Sequence, residues 1–379
     1  MNDRIEQIER ATAHFRQLLT AQAARAEPLS RAPLPDKGNN TVIGLIGGDG
    51  IGPLIVAQAE RALETLLSGE IASGEIELRD IDGLTIENRL ALGQSVPDHV
   101  LTDILQCGVL LKGPTTTPSG GAMESANVTL RRALDLFANV RPVCAPELGI
   151  DWMFFRENTE GEYALGSQGI ELPGLLTMDF KVTTVEGTRR IARAAFEYAK
   201  NNGKKHVAVV TKSNIMKKTD GMFSALCREI AAEYPDIQTD EYYIDIMTAH
   251  LVNPEIRRGF DVFLLPNLYG DILTDEAAQL QGGVGTAGSA NIGERYAMFE
   301  AIHGSAPRMI AEGLGDYANP ESILRAAAML LRHIGKADRA DNLESALRAA
   351  EQTCRVTGTR EGATCEAFGD EVLKHLQSP

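Results

Sequence analysis

Basic residues are in short supply. The chain of 379 residues carries 37 lysines and arginines against 52 aspartates and glutamates, a formal charge of −15. That balance disfavours nucleic acid or an anionic membrane as partner, because both are bound by positive faces. Cysteine is scarce too: Cys107, Cys144, Cys227, Cys354 and Cys365 are odd in number and form no CxxC pair. This argues against a disulfide framework or a zinc knuckle and fits a reducing cytoplasm. No apolar run reaches the roughly 18 residues needed to span a bilayer. The N-terminus lacks the apolar core of a signal peptide, and neither an internal repeat nor a low-complexity tract is present. What the chain does have is length and a hydrophobic content of 44%, enough for a large core and too much for one compact unit, so two lobes are predicted.

Residues 3–25 place Ile5, Ile8, Phe15, Leu18 and Leu19 among charges and alanines, which predicts an amphipathic helix, either a packing arm or an oligomer contact. The proline-rich stretch 27–40 reads as a linker. Thr41-Val-Ile-Gly-Leu-Ile-Gly-Gly-Asp-Gly-Ile-Gly-Pro53 reads as a buried strand turning into a helix that runs through Leu63. It is not a dinucleotide fingerprint: G-x-G-x-x-G needs a third glycine, and Gly50-Ile-Gly52 is followed by Pro53, Leu54 and Ile55. Its glycines either make a tight turn or let backbone approach a cofactor. Strands at Val109, Val207 and Asp261–Leu265 alternate with helices over 185–201, 221–233 and 320–334, an α/β pattern. Residues 166–184 lack helical period and read as an excursion that meets a partner subunit.

Two constellations carry chemistry. Between Lys112 and Tyr163, Arg131, Arg141 and Arg156 recur among Ser125, Asn127 and several hydroxyls. Three guanidinium groups suit a small polycarboxylate, and in so acidic a chain they mark a site and not a bulk charge effect. Asp271 and Asp275 follow a predicted strand and turn at spacing i, i+4, so their carboxylates share one helix face. They either complement a helix N-terminus or hold a hard cation such as Mg²⁺ or Mn²⁺, to which oxygen ligands are suited.

The motifs Gly48-Asp-Gly-Ile-Gly-Pro53, Lys112-Gly-Pro-Thr-Thr-Thr-Pro118, Asn127-Val-Thr-Leu-Arg131, Asp135 to Pro142, Phe155-Arg-Glu-Asn-Thr-Glu-Gly161, Lys212-Ser-Asn-Ile-Met216, Asn267 to Asp275 and Glu300-Ala-Ile-His-Gly-Ser-Ala-Pro307 follow in one order over residues 41–370. In this the chain resembles the β-decarboxylating dehydrogenases, the isocitrate and isopropylmalate dehydrogenase family, and is most similar to the isocitrate enzymes. The resemblance implies an α/β, non-Rossmann two-domain fold with central mixed sheets flanked by helices. After an N-terminal extension (1–40), a large domain would comprise 41–136 and 282–379. A small domain would span 137–281, with a dimer-forming clasp near 162–185.

It also implies roles. Thr117, Ser125, Asn127, Arg131, Arg141 and Arg156 would hold substrate. Asp271 and Asp275 would bind Mg²⁺ or Mn²⁺ with Asp245, which together with Lys212 would arrive from a second subunit, so a homodimer or higher homo-oligomer with shared sites is implied. Lys212 would relay the hydroxyl proton and Tyr163 would protonate the carbon left by CO₂. NAD or NADP would contact Lys112, Thr117, Asn214, Glu300, His303, Gly304, Ser305, Ala306, Pro307, Arg308 and Asn319. Arg308 stands where NAD-using relatives commonly place Asp, a lean toward NADP. Two departures bear on the substrate: Glu124 stands where isocitrate enzymes usually carry Arg, and Leu54 replaces a common Glu. A Glu124 facing the pocket would repel a third carboxylate and leave homoisocitrate, isopropylmalate or tartrate open. A non-catalytic regulatory subunit would tend to lose Tyr163, Lys212 or the metal acids, all of which are present.

Overall fold

The computed structural model describes residues 2–26, 40–118, 123–166 and 168–377; the predicted linker, apart from Asn40, lies outside them. By internal contact the chain forms two units, one of Met1–Pro35 with Phe154–Leu273 and the other of Asp36–Met153 with Thr274–Pro379. The motif-based divisions at 136/137 and 281/282 are displaced from these.

The strands, in chain order, are β1 (Thr41–Ile46), β2 (Ile76–Asp80), β3 (Val109–Lys112), β4 (Ala138–Ala145), β5 (Ile150–Glu157), β6 (Ile170–Leu172), β7 (Leu176–Met178), β8 (His206–Thr211), β9 (Gln238–Tyr243), β10 (Val262–Leu265), β11 (Gly288–Ile292) and β12 (Ala297–Ala301). The larger unit orders its strands β2-β1-β3-β12-β11-β4. β1 to β3 and β12 run parallel, whereas β11 is antiparallel to both β12 and β4, so the sheet is mixed. Alternation of side chains across a strand sends Val109, Leu111, Ala297 and Phe299 to one face, under the helices Gly52–Leu66, Glu321–His333, Ala337–Thr353 and Cys365–Gln377. Leu110 and Met298 go to the other, against the helices Asp98–Leu105 and Ala126–Ala133. A sheet covered on both faces needs apolar residues at successive positions, which is why Val109, Leu110 and Leu111 stand together in β3.

In the smaller unit β10, β8 and β9 are parallel, and Phe154 stacks on Phe263 at 4.4 Å between ring centroids. The predicted excursion is the antiparallel hairpin β6–β7, which leaves Leu175, Leu176 and Met178 exposed. The predicted amphipathic helix is Asn2–Ala26. It packs in this unit through buried Leu18 and through Phe15, whose ring lies 5.3 Å from that of Phe180. The helix that carries Asp271 and Asp275 begins at Asn267, so Asp271 stands in its second turn and away from its N-terminus, which weakens the dipole reading. Among the described residues no helix is long and apolar enough to cross a membrane, and all five cysteines are free.

Candidate active site

The turn after β1 places the first part of the site. Gly48 and Gly50 have φ of 74° and 60°, a region costly for residues with a Cβ. A Cβ at Gly48 would lie 2.3 Å from the Pro114 carbonyl, and one at Gly50 would lie 2.0 Å from that of Ser305. Asp49 N–H donates to Pro114 O (2.8 Å) and Ile51 N–H to Ser305 O (3.1 Å). The Asp49 carboxylate accepts from the N–H groups of Ile86 and Thr116, both at 2.7 Å. These glycines therefore seat two loops of the protein itself against the turn.

Beside those loops the larger unit has a pocket of about 100 Å³ lined by Thr115, Asn127, Arg131, Arg141, Glu300 and His303 among others. Thr115 Oγ1 donates to Asn127 Oδ1 (3.1 Å). Ser125 occupies the N-cap position of the helix Ala126–Ala133, which carries Asn127 and Arg131 inward. Arg131 donates to Glu300 (3.0 Å), and its Nε is buried with no partner among the described residues. Arg141 donates to Thr274 (2.7 Å) and Asp275 (2.9 Å). The 119–122 stretch of the substrate loop lies outside the described residues, and Thr117 is exposed.

Under this pocket runs a buried polar network. Lys112 has no exposed surface and donates to Gly113 O (2.7 Å) and Glu300 Oε2 (3.2 Å). Glu300 also accepts from Asn291 (2.8 Å), while Asn139 donates to Asn291 Oδ1 (3.0 Å) and Ser289 Oγ (2.8 Å). Burial by itself would raise the Glu300 carboxyl, but Lys112, Arg131 and the Asn291 amide hold it down to about 2. Burial lowers the Lys112 ammonium against the pull of Glu300.

Of the 300–319 residues assigned to the dinucleotide, Glu300, His303 and Gly304 line the pocket. Ala306, with φ of 48°, caps the short helix Pro307–Ala311. His303 Nδ1 lies 3.0 Å from Gly304 O, its Nε2 is buried without a partner among the described residues, and burial lowers its pKa. Arg308 is exposed and pairs with Glu312 at 2.6 Å. Ser305 is buried and shares a hydrogen bond with Thr116 (2.7 Å), and Asn319 accepts from Glu321 N–H (3.0 Å). Asn214, in the other unit, is exposed.

The smaller unit holds the second cluster. Arg156, almost wholly buried, donates twice to Asn267 Oδ1 (2.9 and 2.6 Å) and again to Asp271. Tyr163 Oη donates to the other Asp271 oxygen at 2.7 Å, and the guanidinium sits 5.4 Å from the centre of the Tyr163 ring. Lys212 donates to Asp245, and that bond holds the exposed Asp245 carboxyl below its usual range. The Lys212 backbone N–H donates to buried Asp220 (2.8 Å), which Lys181 neutralises at 2.6 Å. Among the described residues no three His, Cys, Asp or Glu side chains form a metal-binding group.

Sequence reasoning missed several partners. Glu124 does not stand alone: Arg132 and Thr129 both donate to its Oε2. Asp220, Asn267, Asn291 and Asn139 were not singled out, although polar residues inside strands or at helix starts flanked by apolar runs are the available signal.

Over residues 42–372 the chain matches the isocitrate/isopropylmalate dehydrogenase family. It is 41% identical over 356 residues to an NADP isocitrate dehydrogenase of Rickettsia bellii, covering 89% of this chain and 70% of that protein. It is 38% identical over 344 residues to a probable mitochondrial NAD isocitrate dehydrogenase subunit alpha of Caenorhabditis elegans, covering 88% and 91%. Among solved structures, an isocitrate dehydrogenase from Methylococcus capsulatus aligns with a TM-score of 0.79 at 36% identity, over 89% of this chain and the whole of that one.

Proposed function

Since the chain belongs to the isocitrate/isopropylmalate dehydrogenase family, we propose that it converts isocitrate to 2-oxoglutarate and CO₂, with NAD or NADP as hydride acceptor and Mg²⁺ or Mn²⁺ as the metal. The observation that carries the reading is the pocket in which Arg131 and Arg141 converge with Asn127 and Thr115. The buried Arg131 Nε is an unmet donor there, and a carboxylate oxygen would satisfy it.

The donor sets fit a divalent cation and a dinucleotide. Asp271 and Asp275 offer hard oxygens one helical turn apart, and a second copy of the chain would add Asp245 and Lys212. The unpartnered His303 Nε2 and the Pro307 turn fit a dinucleotide. When bound, a cation would supply Lewis acidity and a nicotinamide would supply the hydride acceptor. The remaining work belongs to side chains. Arg131, Arg141 and Arg156 hold substrate carboxylates, Lys212 takes the hydroxyl proton, and Tyr163 delivers a proton to the carbon that loses CO₂. The bond from Tyr163 Oη to Asp271 keeps that proton in place. Because Glu124 is neutralised by Arg132, it places no free negative charge against a tricarboxylate, which favours isocitrate over the smaller diacids.

Arg308 supports a preference for NADP: its pair with Glu312 is exposed and therefore weak, so a ribose phosphate can compete for the guanidinium. A site shared between two chains, as the resemblance implies, would make a homodimer the smallest active unit, and the unpaired cysteines support a reducing compartment such as the cytoplasm. The test is a matrix of isocitrate, homoisocitrate, isopropylmalate and tartrate against NAD⁺ and NADP⁺ with Mn²⁺ present. Isocitrate should give the highest kcat/KM, and no turnover of any of the four would overturn the enzymatic reading.

A further inference from the structure

The helix Asn2–Ala26 lies wholly outside the family match at 42–372, yet its last turn reaches the smaller unit's active-site cluster. Arg25 Nη2 lies 3.3 Å from Glu160 Oε1. Glu160 is buried, and its carboxylate also accepts from the N–H (2.8 Å) and Oγ1 of Thr184. It is wedged: a Cβ on Gly187 would come within 2.6 Å of that carboxylate. The Glu160 backbone carbonyl accepts from Asn267 Nδ2 at 2.9 Å, and Asn267 Oδ1 takes the two bonds from Arg156 already described. Arg156 in turn meets Asp271, the residue that holds the Tyr163 hydroxyl.

We infer that Arg25 is a positioning residue: through Glu160 and Asn267 it fixes the guanidinium of Arg156, making the N-terminal helix part of the substrate-binding machinery. The physical reason is that a buried carboxylate beside a second buried carboxyl group, that of Glu157, needs a cation to stay where it is. Every other member of the relay is almost fully buried, with Asn267 and Arg156 each 1% exposed, so a displacement of Glu160 has no slack in which to dissipate. Arg25 acts on Arg156 without touching substrate. The inference rests on the reading of Arg156 as a carboxylate-binding group.

The test compares full-length wild type with Arg25→Gln and Arg25→Lys by two readouts. The first is the isocitrate KM, with kcat and the nicotinamide KM measured alongside. The second is the NMR resonance of the Arg156 Nε–H, assigned by its loss in Arg156→Lys and independent of turnover. Arg25→Gln should raise the isocitrate KM roughly three- to fivefold, the most a half-exposed ion pair transmits, with kcat and the nicotinamide KM within about twofold. It should also shift the Arg156 resonance, and Arg25→Lys should restore both. An unmoved resonance, or a lysine variant no better than the glutamine one, would overturn the inference. So would equal changes in both KM values, which would mean general loosening. If wild type turns over no isocitrate, the functional reading fails, and the Arg156 resonance alone decides whether Arg25 positions it.

Discussion

Replacing Glu300 by Gln removes the single negative charge that two buried cations share. At neutral pH the carboxylate faces Lys112 Nζ at 3.2 Å and Arg131 Nη2 at 3.0 Å. A carboxyl held at about 2 where its ordinary value is 4.5 stabilises the folded protein by about 3 kcal/mol. Mutational experience with buried pairs broken on one side gives about 3–5 kcal/mol, the same range. Because the folded pKa is depressed, this contribution is complete above pH 4.5 and disappears as pH falls toward 2. Urea denaturation at pH 7 should therefore find Glu300→Gln about 3 kcal/mol less stable than wild type, and the gap should narrow in acid. The double variant with Lys112→Met should recover part of the loss, since it removes the stranded ammonium. A single variant within about 1 kcal/mol of wild type at pH 7, or a loss that persists unchanged in acid, would refute the account of the network.

Three further outcomes follow from the structure. Burial, and then the neighbouring Glu160, raise the Glu157 carboxyl to about 7 despite donors from Thr159 and Glu160 N–H. Stability should thus fall as pH rises from about 4.5 through 7, and Glu157→Gln should flatten that fall by up to about 3 kcal/mol in denaturation at stepped pH; an unchanged slope would count against it. Arg308→Asp should move the ratio of kcat/KM for NADP over NAD by roughly tenfold toward NAD, the order of one charge-assisted hydrogen bond, and an unchanged ratio would remove Arg308 from cofactor choice. Chains carrying Tyr163→Phe and chains carrying Lys212→Met should each be nearly inactive but regain turnover when mixed, because in the proposed homodimer with shared sites a hybrid would contain one intact composite site. Mixtures no more active than their parts would argue that each site belongs to one chain.

How much of this was legible depended on where the polar residues fall. β1, β3, β8 and β10 are buried throughout most of their length, so their apolar runs announced them. β9, half exposed and reading Gln-Thr-Asp-Glu-Tyr-Tyr, gave no such signal. β11 and β12 hide Asn291 and Glu300 inside the sheet, and their logic appears only when Lys112, 188 positions from Glu300, is brought alongside. The start of the helix bearing Asp271 was misplaced because Pro266-Asn-Leu-Tyr-Gly270 has turn composition, yet Asn267 is spent on Arg156 and Glu160. The roles proposed for Arg131, Arg141, Arg156, Tyr163 and the acids rest on motif resemblance and on chemistry that single residues can carry. The Glu124–Arg132 pair is eight residues apart on the sequence, but a helix start separates the two, and spacing alone did not join them. The link from Arg25 to Glu160 crosses 135 positions, and no local pattern encodes it.

The turn at Gly48 and Gly50 has one more consequence. It grips Pro114 on one loop and Ser305 on another through main-chain hydrogen bonds, and the Asp49 carboxylate adds the Thr116 N–H of the first loop. One of those loops carries the residues assigned to substrate, and the other carries those assigned to the dinucleotide. Their spacing is thus set by a turn that holds main-chain groups of both loops, so residues of either loop outside Thr116 and Ser305 can change for a new acid or a new nucleotide without that loop losing its alignment to the other. A methyl group at Gly48 would instead press on the first loop, and one at Gly50 on the second.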